Sequence, residues 1–201
     1  MRKVILIAVL ISLVAINLTA QNKKSTLLMD MAQFDKAYIP ALFYTNQNNA
    51  EYSARSIDGL LRVWNGFMSR HKNPELPDSL WGRDMGQIDM LIGNAAEIVY
   101  KQESLDSAHE DLERVRYVFL EMRECNDIKY YMDDLTRFHA EMEKIVEIAG
   151  DKENNELEQS GLSRINSHLG NALEIWKKVM LKKFDQKLFS FSDKRYKRLN
   201  E

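Results

Sequence analysis

The sequence has 201 residues, among them 28 Lys and Arg and 30 Asp and Glu, which gives a formal net charge of −2. A chain with this balance lacks the excess of positive charge with which proteins bind nucleic acid, so no nucleic-acid partner is expected. Its single cysteine, Cys125, excludes an internal disulfide framework. The fold must therefore be stabilised by packing.

The N-terminal segment has the layout of a secretory signal peptide. Arg2 and Lys3 precede an uncharged run over 4–16 that is apolar except for Ser12, and a short polar stretch ends at Ala20. The run is shorter than the about 20 residues that a membrane-spanning helix needs, and an uncleaved anchor is the alternative. We expect cleavage after residue 20, a mature chain over 21–201 and a periplasmic or secreted location. Without the two basic residues, the mature chain has 26 basic and 30 acidic residues and a formal charge of −4.

The mature chain has the pattern of amphipathic helices along its whole length. Apolar residues recur at intervals of three and four, and with 8 Gly and 3 Pro no alternating run indicates a strand. The pattern predicts six helices, over 26–46, 49–71, about 80–102, 105–124, about 128–149 and about 155–183. Because short links make sequential helices antiparallel, we expect an all-α up-and-down bundle that forms one domain over 21–201. A basic tail over about 188–201 is expected to be weakly structured.

A weak internal repeat relates the first two helices to the last two. Trp64 and Trp176 fall at matching places when the two helical hairpins are aligned. Two amphipathic helical hairpins can also look alike by chance, because they share the same periodicity. A true internal repeat and a chance similarity are therefore both possible interpretations.

Two neighbouring helices each carry a His and a Glu four residues apart. His109 and Glu113 share one face of the fourth helix, and His139 and Glu143 share one face of the fifth. With a tight turn centred near 126–127, His109 is expected level with Glu143, and Glu113 level with His139. The two levels would then be about 6 Å apart.

Two imidazoles and two carboxylates form a ligand set for a divalent transition metal such as zinc, copper or nickel. The alternative is structural, because Arg114 and Arg116 lie in the same stretch and can form a salt-bridged network that fixes the helix register. No cofactor is required by the sequence, although a haem held by Met or His stays open.

The sequence contains no phosphate-binding loop, nucleophile elbow or zinc-protease motif. We therefore expect a non-enzymatic binding or accessory protein with a protein partner of unknown identity. The segment 177–198 contains nine Lys and Arg with Phe and Leu between them, which would also suit weak contact with an anionic membrane surface. The alternative is a helix end whose basic residues suit the helix dipole, followed by a partly ordered tail.

The sequence of the fourth and fifth predicted helices is similar to that of a known group of proteins. The stretch LDSAHEDLERVRYVFLEMRECNDIKYYMDDLTRFHAEMEKIV, over 105–146, resembles uncharacterised secreted bacterial helical-bundle proteins in which a HExLExVR helix precedes an LTxFH helix. The resemblance implies a helical bundle in a bacterial periplasm, and it implies no particular activity. Glu141 stands where the group would have Pro, so a kink in the fifth helix is not expected here.

Overall fold

The computed structural model describes residues 25–72, 80–150 and 159–182. These residues form six helices and, within those ranges, no strand. Helix α1 covers 25–46, and it is followed by α2 (Ala50–His71), α3 (Trp81–Tyr100), α4 (Leu105–Cys125), α5 (Tyr131–Gly150) and α6 (Gln159–Leu181). The predicted all-α up-and-down helical bundle is thereby confirmed.

The links between helices contain residues in the left-handed region. Asn48, Gln102 and Asp127 have φ values of 54°, 56° and 47°, and such single residues reverse the chain after a helix. In the first link the side chain of Asn49 accepts the backbone N–H of Tyr52 at 3.1 Å and so caps α2. Local capping therefore decides where this helix begins.

The predicted ends of helices two to four lie within two residues of the observed ones. The fifth helix begins later than expected, at Tyr131, because 126–130 form a longer link than the predicted tight turn. Both predicted ends of the sixth helix lie outside the described residues. So do the predicted signal peptide over 1–20 and the basic tail over 188–201.

The chain divides into two compact units. Among the described residues, the first unit consists of 25–72 and 89–112, and the second of 80–88, 113–150 and 159–182. The single domain over 21–201 stays a prediction. Within the described ranges, no helix is long and apolar enough to cross a membrane.

The first unit has an aromatic core. The ring of Phe34 lies 5.5 Å from that of Tyr38 and 5.8 Å from that of Trp64, which stacks on Phe67 at 5.7 Å. The indole N–H of Trp64 donates to Asp89 at 2.8 Å, so the polar edge of this buried side chain is satisfied. Helix periodicity alone places these rings on one side of α1 and α2.

In the second unit, α5 packs against α6. Arg123 near the end of α4 donates from Nε to Asp133 near the start of α5 at 2.7 Å, and both residues are buried. The amide of Asn126 donates to the carbonyl oxygen of Met122 at 2.7 Å and closes the end of α4. The bond from Arg123 to Asp133 holds the first turn of α5 to the last turn of α4.

The buried residues of α6 are small. Ala172 and Val179 are buried, Ile165 and Ile175 are half-buried, and the other large apolar residues of the helix are exposed. We call five of these exposed residues the α6 stripe; it comprises Leu162, Leu169, Leu173, Trp176 and Met180. Trp176 is 42% exposed and Trp64 is 1% exposed, so the two tryptophans of the proposed repeat occupy different environments.

Candidate metal site

Two carboxylate side chains and one imidazole side chain meet between α4 and α5. Glu113 lies on α4, and His139 and Glu143 lie on α5, one helical turn apart. One potential ligand atom from each of the three lies within 4.8 Å of the other two. Among the described residues, this is the group of His, Cys, Asp and Glu side chains arranged closely enough to hold a metal ion.

Two distances within the cluster are close to those between ligands of one ion. Nε2 of His139 lies 3.0 Å from Oε1 of Glu143 and 3.6 Å from Oε2 of Glu113. Ligand atoms about 2.1 Å from a shared ion are about 3.0 Å apart at right angles and about 3.4 Å apart in a tetrahedron. An ion could therefore bind between these atoms with small side-chain movements.

The cluster has a buried side and an open side. The side chain of Glu113 is 12% exposed, whereas those of His139 and Glu143 are 40% and 47% exposed. Water and ions can reach the two α5 ligands, and the α4 carboxylate forms the floor. Glu113 also forms an ion pair with the guanidinium of Arg116, one turn along α4.

Tyr117 borders the same cluster. Its hydroxyl donates to Oε2 of Glu143 at 2.7 Å. Burial, and after it the hydrogen bond to Glu143, raise the pKa of the Tyr117 phenol above its ordinary value of 10. The sequence reasoning missed this residue, although its place four residues after Glu113 puts it on the same face of α4.

The fourth predicted ligand, His109, is not part of the cluster. Its Nδ1 donates to the carbonyl oxygen of Leu42 on α1 at 3.1 Å and lies 3.4 Å from the hydroxyl oxygen of Thr45. A backbone carbonyl only accepts, so this bond fixes the proton on Nδ1. The prediction that His109 lies beside Glu143 used α4 and α5 alone, and a polar partner on α1 holds the ring instead.

A second His–Glu pair lies between α5 and α6. Nδ1 of His168 lies 2.8 Å from Oε2 of Glu141, which also accepts from the amide of Asn171 at 3.1 Å. Lys144 completes the surroundings of Glu141 with an ion pair of 3.1 Å. No third His, Cys, Asp or Glu is grouped with this pair in the described part of the chain, so it serves below as a matched control.

Comparisons of the chain with protein-family models, with curated proteins and with solved structures gave no match. The resemblance to secreted bacterial helical bundles stays a prediction. The functional proposals therefore depend on the geometry of the chain itself.

Proposed function

We propose that this protein is a non-enzymatic binding protein whose ligand is a transition-metal ion held by Glu113, His139 and Glu143. The observation that carries the proposal is the convergence of three ligand atoms within 4.8 Å from two helices. An imidazole with two carboxylates suits zinc, copper or nickel. The sequence offers no catalytic motif, which supports binding rather than catalysis.

The exposure of the cluster supports reversible binding. Three protein ligands leave at least one coordination position for water or for a ligand of the recipient. Because His139 and Glu143 are partly exposed, an ion can exchange without opening the bundle. Such a site suits delivery or sensing of a metal ion better than permanent structural binding.

Equilibrium dialysis against Zn²⁺, Cu²⁺ or Ni²⁺ tests the proposal directly. We expect about one ion per chain, with binding lost in His139→Gln and Glu143→Gln and retained in the control His168→Gln. An ion at 100 times its Kd should also raise the free energy of unfolding by about 2.7 kcal/mol. Equal binding by the wild type and His139→Gln would show that the ion sits elsewhere. Absence of binding would make the cluster a salt-bridged strut between α4 and α5.

We also propose that the protein is exported to the periplasm or secreted, and that the mature chain begins at Gln21. The basic start, the apolar run and the small residue at Ala20 support export. Mass spectrometry of the protein recovered from the cell envelope or medium would test it. A mass that includes residues 1–20 would contradict cleavage.

A second candidate function, binding of a protein partner, is favoured by the α6 stripe. Its members follow one another at intervals of seven, four, three and four residues, which is the a/d spacing of a helix–helix seam. Their side chains are exposed by 40–69%, and the adjacent Lys177 and Glu174 pair with each other at 2.6 Å. The occupant that fits this spacing is an amphipathic helix of a partner protein.

A photo-crosslinking residue at position 173, with the same residue at 174 as control, tests partner binding in the cells that make the protein. We expect crosslinking at 173 to map to an amphipathic helix of one protein and to be lost in Trp176→Glu. Crosslinks to a second copy of the chain would identify self-association instead. Equal crosslinking at 173 and 174 would refute a docking role for the stripe.

A further inference from the structure

Tyr117 places a fourth potential ligand atom at the metal-binding cluster. Its hydroxyl oxygen lies 2.7 Å from Oε2 of Glu143, the carboxylate whose other oxygen lies 3.0 Å from His139. Two ligands at right angles, each about 2.0 Å from one ion, are about 2.8 Å apart. Glu113 and Tyr117 also lie on the same face of α4, so α4 and α5 each present two groups.

The chemistry of this enlarged donor set differs from that of a typical zinc site. Two carboxylates, one phenolate and one imidazole supply three negative charges and three hard oxygen donors. Hard anionic oxygen atoms favour a small, highly charged cation, whereas softer divalent ions favour thiolate and imidazole. The guanidinium of Arg116 offsets one of these charges through its ion pair with Glu113, so the preference for a trivalent cation depends on the three hard oxygen donors rather than on charge neutralisation.

We propose that Tyr117 is a fourth ligand and that the site binds ferric iron in preference to divalent ions. The proposal rests on the proposed function, since it uses Glu113, His139 and Glu143 as the other ligands. When the ion binds, the O–H bond of Tyr117 breaks and an iron–oxygen bond forms. The phenolic proton passes to water, and the iron remains ferric throughout. Arg116 acts as a positioning residue, because its ion pair with Glu113 holds that carboxylate in the floor of the site.

Ferric iron supplied as its citrate complex to the full mature chain provides the test. A phenolate bound to ferric iron absorbs visible light by charge transfer, and zinc cannot produce this band. We expect a coloured one-to-one complex. In Tyr117→Phe we expect loss of the band and an affinity for ferric iron lower by at least about tenfold. Binding of Zn²⁺ should change much less in that variant, because three ligands remain.

Tyr100→Phe is the matched control. Tyr100 also donates its hydroxyl to a carboxylate, that of Asp58, at 2.5 Å. Among the described residues, Asp58 belongs to no group of three or more His, Cys, Asp and Glu side chains close enough to hold an ion. We expect Tyr100→Phe to keep the colour and the affinity of the wild type. Circular dichroism of both variants verifies that the helices are intact.

The other outcomes separate this inference from the proposed function. A band that persists in Tyr117→Phe, or a colourless ferric complex, would overturn the role of Tyr117 while metal binding stands. Binding of Zn²⁺ without binding of ferric iron would overturn the preference for iron in the same way. Binding of none of Zn²⁺, Cu²⁺, Ni²⁺ and ferric iron would overturn both proposals.

Discussion

The ion pair between Arg123 and Asp133 should dominate the stability of the α4–α5 hairpin that carries the cluster. Their side chains are 5% and 7% exposed, and the contact joins the last turn of α4 to the first turn of α5. Burial raises the pKa of Asp133 above its ordinary value, against the opposing effect of Arg123. The pair is thus costly to bury, and each charge depends on the other for compensation.

Replacement of Asp133 by Ala leaves the guanidinium of Arg123 buried without its counter-ion. Removal of one partner of a buried pair typically costs about 3–5 kcal/mol. Stacking on the ring of Tyr130, 4.7 Å from the guanidinium carbon, remains and favours the lower end of that range. The double variant Arg123→Met, Asp133→Leu leaves no buried charge without a partner. Its free energy of unfolding should therefore exceed that of Asp133→Ala by at least about 2 kcal/mol.

Urea unfolding followed by circular dichroism measures these differences. The exposed pair of Arg55 and Glu51, with side chains 67% and 69% exposed, supplies the control. Glu51→Ala should lower the free energy of unfolding by less than about 1 kcal/mol. The reasoning is refuted if Asp133→Ala costs no more than Glu51→Ala, or if the double variant is less stable than the single one.

Three further predictions concern α1 and α2. Burial raises the pKa of Asp30, but hydrogen bonds from Arg70 and His71 outweigh burial and place this pKa below its ordinary value of 3.8. The ionised carboxylate should therefore stabilise the fold fully above about pH 4, and this stabilisation should be lost as the pH falls through the lowered pKa. Asp30→Asn should remove that loss from an acid-unfolding curve, and an unchanged curve would contradict the prediction. Asn49→Ala should lower the free energy of unfolding by about 1 kcal/mol in urea, because α2 loses its cap, and an unchanged midpoint would count against capping. His109→Ala should lower the free energy of unfolding by about 1 kcal/mol, because the hydrogen bond to α1 is lost. Metal binding should be unchanged in this variant. Loss of metal binding would instead show that His109 is a ligand.

The sequence predicted the helices well because each has a local signal. Asn49 caps α2, and the apolar interval of three and four residues continues along α2 to α4. The prediction erred where two elements had to be placed relative to each other. The link over 126–130 is longer than a tight turn, and nothing local to it showed that α5 would begin only at Tyr131.

For the candidate site, helix spacing correctly placed His139 beside Glu143 and brought Glu113 toward them. It could not show that α1 would engage His109, because a backbone carbonyl acceptor has no signature in the side-chain sequence. On α6, Ala172 and Val179 are buried, whereas the residues of the α6 stripe are exposed. Periodicity locates an apolar face on a helix, but the neighbours of that face decide how much of it is covered.

The most direct test of the account is the metal content of the mature protein, purified without chelator or affinity tag and measured by elemental mass spectrometry. We predict close to one transition-metal ion per chain in the wild type and in His109→Ala, and none in His139→Gln that remains folded. A wild-type protein that contains no metal and takes up none on incubation with zinc or ferric iron, together with a loss of stability in His139→Gln, would contradict the account. Glu113, His139 and Glu143 would then serve only to hold α4 against α5.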